Sequence, residues 1–142
     1  MPKISEVMTR DVEVITPEAS LQRAAQMMDT LNVGALPVCN GKQLLGMVTD
    51  RDITVRGTAA GLNPTQACVS DVMSAQVRAC SEDDTTDDVM SQMGDTQIRR
   101  LPVLNAQKEL VGIVSLGDLA TRQRGHTDEA LREISKPSEP DR

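Results

Sequence analysis

The chain contains no phenylalanine, tyrosine or tryptophan. Its core must therefore be built from Leu, Val, Ile, Met and Ala, and a bound base would lie against aliphatic side chains with no ring to stack on. Cysteine is scarce. Cys39, Cys68 and Cys80 form no CxxC pair, and their odd number is poor material for a disulfide framework, so each is read as a small buried hydrophobe. The one histidine, His126, has no ligand partner at zinc-site spacing, and no metal is expected. No apolar run approaches a membrane span, and Met1-Pro2-Lys3-Ile4-Ser5-Glu6 lacks the apolar stretch of a signal peptide. These absences predict a cytoplasmic protein without membrane association. Basic charge is also short. Fifteen Lys and Arg against 21 Asp and Glu give a net charge of −6, which argues against a nucleic-acid binder. No nucleophile–base pair, metal-ligand cluster or Gly-rich phosphate loop is present, so no catalytic residue is assigned and an enzyme is not expected.

What the chain does have is a repeat. Ser5-Glu6-Val7-Met8 matches Ser70-Asp71-Val72-Met73, 65 residues on. At the same offset Thr16 meets Ser81, Met28 meets Met93, and Leu36-Pro37-Val38 meets Leu101-Pro102-Val103. One extra loop residue then makes the offset 66, so that Gly46, Val48 and Asp52 meet Gly112, Val114 and Asp118. The division this predicts is a first repeat over 1–62, a linker over 63–68, a second repeat over 69–124 and a polar tail over 125–142, with a short helix expected at Asp128–Ile134. Each repeat reads β-α-β-β-α. A short strand over Val12–Ile15 leads to Thr16-Pro17-Glu18, which has the form of a helix start with Thr as N-cap and Pro at N1. Leu21, Ala24, Ala25, Met28 and Leu31 then recur at helical spacing, and Val89, Met90 and Met93 do so in the second copy. Ser81-Glu82-Asp83-Asp84 resembles a capping box. Asn40-Gly41 signals a hairpin turn between two strands, and a helix follows Asp52 and Asp118. The expected fold class is α/β of the α+β type, with two such repeats packed sheet to sheet in pseudo-twofold symmetry, because a three-stranded half has a weak core alone.

Each repeat carries one polar cup. Thr49-Asp50-Arg51-Asp52 follows the apolar run Leu44–Val48, and Ser115-Leu116-Gly117-Asp118 follows Leu110–Val114. A hydroxyl and a carboxylate three residues apart sit at a strand-to-helix junction, where unpaired backbone N–H groups would favour a phosphate or another anion. The carboxylates have two readings. They can complement the helix dipole, or they can accept hydrogen bonds from vicinal hydroxyls of a ligand. Two copies in register favour the ligand.

Paired units that open on Ser-x-Val-Met, carry Leu-Pro-Val in the middle and close on Gly-x-Val-[Thr/Ser]-x-x-Asp resemble a tandem pair of CBS domains, or Bateman module. The likeness covers residues 4–124, and the chain looks like the stand-alone CBS-pair proteins. The resemblance implies a regulatory module that takes adenosyl ligands in clefts between the halves: AMP, ADP or ATP first, with S-adenosylmethionine or NADH ranked behind them. It implies that Asp52 and Asp118 take ribose hydroxyls and that Thr49 and Ser115 lie by the phosphate or ribose. Ala35-Leu36-Pro37 and Arg100-Leu101-Pro102 would meet the adenine edge, and Thr16 and Ser81 would line the clefts. Arg99-Arg100 precedes the second Leu-Pro-Val, where the family often contacts phosphate, whereas Gly34-Ala35 precedes the first, so two unequal sites are expected. Arg99 and Arg100 can equally be a solvated pair, and Arg51 can reach a phosphate or form an exposed salt bridge. The Met-rich helix faces suit core or homodimer packing rather than metal, with parallel and antiparallel discs both open. The expected function is a sensor that modulates an unknown partner protein. The alternative is a dimeric interaction scaffold with vestigial clefts.

Overall fold

Aliphatic residues dominate two neighbouring stretches, Ala35–Asn40 (β1) and Gln43–Thr49 (β2), and Gly41 between them takes a left-handed φ of 62° that suits a two-residue turn. The strands pair antiparallel from Asn40↔Gln43 to Ala35↔Thr49, with a bulge at Val38/Cys39. The computed structural model describes residues 2–96 and 99–122, the side chains of 95, 96 and 120–122 excepted. His126 and the helix expected at Asp128–Ile134 lie outside the described residues.

The described residues divide into two compact units, one of residues 13–77 and one that joins residues 2–12 with residues 78–96 and 99–122. In the first unit, helix α1 (Leu21–Leu31) covers the sheet with Leu21, Ala24 and Met28 buried, while Ala25 and Leu31 of the expected stripe stay exposed. Helix α2 opens at Asp50–Asp52 and continues from Ile53 to Thr58 as π-helix, Ala59 donating to the carbonyl of Thr54. Strand β3 (Ser74–Ala75) closes the sheet in the order β1-β2-β3. The second unit is its counterpart. It holds β4 (Cys80–Ser81), α3 (Thr86–Thr96), β5 (Arg100–Leu104), β6 (Leu110–Ser115) and α4 (Leu116–Arg122), with sheet order β4-β5-β6. The mixed α+β class expected from the sequence is the class observed, with two three-stranded sheets.

The compact units are out of register with the sequence repeats. The opening segment of each repeat packs in the other repeat's unit. Val69 and Val72 are buried against Leu21, Met28, Leu36 and Val48, whereas Ile4, Val7 and Met8 are buried against Val89, Met93, Leu101 and Val114. Glycine makes the exchange possible. A Cβ on Gly46 would meet the carbonyl oxygen of Ser74, and one on Gly112 would lie 2.7 Å from both Met8 Sδ and the Thr9 carbonyl oxygen. These are the glycines of the two Gly-x-Val motifs, and each is where the exchanged segment crosses its sheet.

The same exchange moves the helix starts. Pro17 and Ala19 present their carbonyls to the amides of Ser70 and Val69 (2.9 and 2.8 Å), so Thr16-Pro17 forms a turn that holds the exchanged segment. The N-cap of α1 is Ser20, whose Oγ accepts from the Arg23 amide at 3.0 Å, and Thr16 is not the cap. In the second unit Ser81 ends β4, while Thr85 caps α3 by accepting from the Asp88 amide at 3.2 Å. The carbonyls of Glu82 and Asp84 take the amides of Ser5 and Ile4. The strand expected over Val12–Ile15 contracts to one parallel bridge, Ile15↔Val38.

Candidate functional site

At the end of β2, Thr49 changes from strand to helix. Its Oγ1 accepts from the Asp52 amide at 3.0 Å, and its own amide donates to Asp52 Oδ2 at 2.9 Å. The second unit repeats this reciprocal capping box. Asp118 N donates to Ser115 Oγ, and Ser115 N donates to Asp118 Oδ2, both at 3.0 Å. A box of this kind satisfies two backbone donors at once, so these residues have a structural task whatever else they do.

The boxes revise the expectation of unpaired N–H groups. In the first, the Asp50 amide donates to the Gly34 carbonyl and the Asp52 amide to Thr49; in the second, Leu116 N is taken by the Arg99 carbonyl and Asp118 N by Ser115. Each box engages its carboxylate through one oxygen. Only Oδ2 enters the box. Asp52 Oδ1 lies 4.0 Å from Arg56 Nε, and the Asp52 side chain retains 14% exposure.

Register decides which of the expected residues meet. Ala35 is the β1 partner of Thr49, so Ala35, Thr49 and Asp52 gather at one end of the first sheet, with buried Leu36 and Pro37 next along the strand. Arg100 is likewise the β5 partner of Ser115, which gathers Arg100, Ser115 and Asp118, followed by buried Leu101 and Pro102. Arg99 joins this group through its carbonyl. Arg51 is exposed on the first turn of α2. Thr16 and Ser81 do not meet these groups within their own units. Ser81 pairs with Leu104, and Thr16 follows the Ile15↔Val38 bridge, each toward the far end of its strand. At the rise of a strand that is roughly 13 Å away.

Two grooves lie elsewhere. One of about 230 Å³ runs along α1 and α2, lined by Met28, Asp29, Val33, Asp50, Ile53 and neighbours, and one of about 420 Å³ lies along α3 beside Asp84 and Asp88. Neither contains a residue assigned to ligand binding. The cysteines are free. Burial raises the Cys39 thiol, and burial with the nearby Asp84 charge pushes Cys80 up to about 12, so both are held protonated at neutral pH. Among the described residues no group of three or more His, Cys, Asp or Glu is placed to hold a metal, and no helix is long and apolar enough to cross a membrane.

Arg56 and the crossing role of the two glycines were not singled out by sequence reasoning. The signal for Arg56 was present: it stands four residues after Asp52, and Arg122 stands four after Asp118.

Known proteins share this fold. A family model described as the CBS domain matches the chain twice, over residues 4–56 and 69–125. The CBS domain-containing protein YhcV of Bacillus subtilis strain 168 is 42% identical over 137 residues, covering 95% of this chain and 96% of that protein. Among solved structures, Hypoxic Response Protein I with two coordinated zinc ions aligns with a TM-score of 0.77 at 33% identity, covering 85% of this chain and 98% of that one. CBSX2 in complex with AMP aligns with a TM-score of 0.76 over 85% of this chain and 95% of that one. Its identity is 23%, so that likeness is one of fold.

Proposed function

Because this chain belongs to the CBS-domain family, as two copies in tandem, we propose that it is a non-catalytic regulatory module. It senses an adenosyl ligand of the AMP, ADP or ATP class and modulates a partner protein in the cytoplasm. The observation that carries this reading is the pair of equivalent carboxylates, Asp52 and Asp118, each engaged in its capping box through one oxygen. The other oxygen of each is the acceptor for ribose hydroxyls, and a charged acceptor makes the stronger hydrogen bond. Arg99 and Arg100 beside the second box supply phosphate-directed charge that Gly34 and Ala35 do not, so the two sites differ in affinity. The AMP complex of CBSX2, a protein of the same fold, supports the choice of ligand class.

A second reading has its own observation. The boxes account for Asp52 and Asp118 without any ligand, and Leu31 and Val55 on the helices are 40% and 47% exposed. This favours a homodimeric scaffold that uses the helices as its contact face. A thermal-unfolding panel with AMP, ADP, ATP, S-adenosylmethionine and NADH separates the two. Ligand at a hundredfold over Kd stabilises by about 2.7 kcal/mol, a rise of roughly 6–10 °C for a chain of this size. A rise that becomes smaller in Asp52→Asn or Asp118→Asn at the same ligand concentration supports the sensor. No rise with any compound turns the function over to the scaffold.

A further inference from the structure

Arg56 touches both the candidate ribose carboxylate and the exchanged segment. Its Nε lies 4.0 Å from Asp52 Oδ1, and its Nη1 donates to the carbonyls of Val72 and Met73 at 3.3 and 3.4 Å. Those carbonyls belong to the segment that enters the first unit from the second repeat. Two residues on, Ser74–Ala75 pairs with β2 across Gly46. Gln76 then turns the chain with φ of 54°, a left-handed conformation that side chains other than Gly, Asn and Asp rarely adopt, and Val77 is the last residue of the unit. Asp11, 65 residues earlier, makes the corresponding turn with φ of 57° before the chain crosses at Val12.

We propose that Arg56 is a coupling residue: it joins Asp52 to the main chain of the segment that leaves the unit, so that an adenosyl ligand engaging Asp52 is registered at Val72 and Met73. The inference rests on the nucleotide-sensing reading and adds the route by which binding is transmitted. The physics is competition for one guanidinium. Without ligand, Arg56 is shared between a carboxylate and two carbonyls, all at long range. Ribose hydroxyls donating to Asp52 satisfy the carboxylate and weaken its hold on the cation, which then settles on the carbonyls. A planar guanidinium can hold both ends at once; an ammonium is a single point charge and cannot. Arg56 is a positioning residue, since its contacts are with Asp52 and the backbone.

The test is carbonyl and amide NMR of the full chain titrated with AMP, in the wild type, Arg56→Gln and Arg56→Lys. Arg56 is 56% exposed, so both variants keep the core intact. Calorimetry should give AMP affinities within about threefold of wild type, as fits a 4.0 Å ion pair whose Arg56 side is exposed. In the wild type, AMP shifts the amides of Thr49–Asp52 and also the carbonyl carbons of Val72 and Met73. In both variants the first set still shifts and the second does not. A purely structural role for Arg56 would alter the Val72 and Met73 resonances with and without AMP but leave their AMP-dependent change in place. That result, or a wild type in which Thr49–Asp52 shift while Val72 and Met73 stay fixed, overturns the coupling alone. A wild type in which neither set shifts overturns the nucleotide reading and the coupling with it.

Discussion

Replacing Gly46 with alanine destabilises the protein, because the added methyl has no room. Its Cβ would meet the Ser74 carbonyl oxygen and would lie 3.1 and 3.2 Å from Ser74 C and Ala75 Cα. All three are backbone atoms of β3, fixed by the pairs Gly46↔Ala75 and Met47↔Ser74, so no flexible side chain can move aside. Overpacking at such a site costs about 1–3 kcal/mol, which lowers Tm by roughly 3–12 °C for a chain of this length. Gly94→Ala is the control. Gly94 is an exposed residue of α3 with nothing within 4 Å of its virtual Cβ. There the methyl removes backbone entropy from the unfolded chain and stabilises by about 0.5–1 kcal/mol. Melting is followed by circular dichroism, since the chain has no Trp or Tyr for intrinsic fluorescence. A Gly46→Ala variant that melts at or above the wild-type temperature refutes the claim that the exchanged segment crosses at this glycine.

Three further outcomes are expected. Thr86 is fully buried, and its Oγ1 has no hydrogen-bond partner among the described residues; Thr86→Val keeps the shape, removes the unsatisfied hydroxyl and should stabilise by about 1 kcal/mol in denaturant titration, the opposite sign contradicting this account. Cys80 has its thiol raised from 9.0 to about 12, so its contribution to stability is full below pH 9 and is lost as pH rises toward 12. Denaturant titrations across that range should show a loss of about 1.4 kcal/mol per pH unit relative to Cys80→Val, and parallel curves would contradict it. Residues 1–62, framed on the sequence repeat, lack Val69 and Val72 of the first unit's core and should not fold alone, whereas residues 13–77 hold that core whole. A folded 1–62 fragment, seen by dispersed amide resonances, would sink that claim.

The duplication, the two strand pairs and the buried stripes of both long helices, apart from the exposed Ala25 and Leu31, were legible because each is local and periodic. Leu21, Ala24 and Met28 face inward as their spacing requires, as do Val89, Met90 and Met93. The frame of the folding units was not legible. Identity along the chain marks where a repeat begins, but not which core its first turn enters, and that is decided by long-range contacts such as Val72 in the first core and Val7 in the second. The helix start at Thr16-Pro17 failed for the same reason. Its capping chemistry is sound, yet its neighbours' carbonyls are used by Val69 and Ser70, and Ser20 takes over the cap. At the cups the residue types and spacing were read correctly, but not their use of one another. A Thr-x-x-Asp or Ser-x-x-Asp pattern at a helix start closes on itself, and the N–H groups expected to be open to an anion are largely spoken for.

On the proposed reading, Asp52 and Asp118 bind an adenosyl ligand. Isothermal titration of AMP into the wild type, Asp52→Asn, Asp118→Asn and the double variant tests it most directly. Asparagine keeps an oxygen for the capping box while removing the charge, so folding survives and the ribose acceptor is weakened. The wild type should bind AMP saturably. Each single variant should lose affinity at its own site by about tenfold, as expected for a charged hydrogen bond of roughly 1.5 kcal/mol, and the double variant should lose it at both sites. Wild-type binding that persists unchanged in the double variant would contradict the claim.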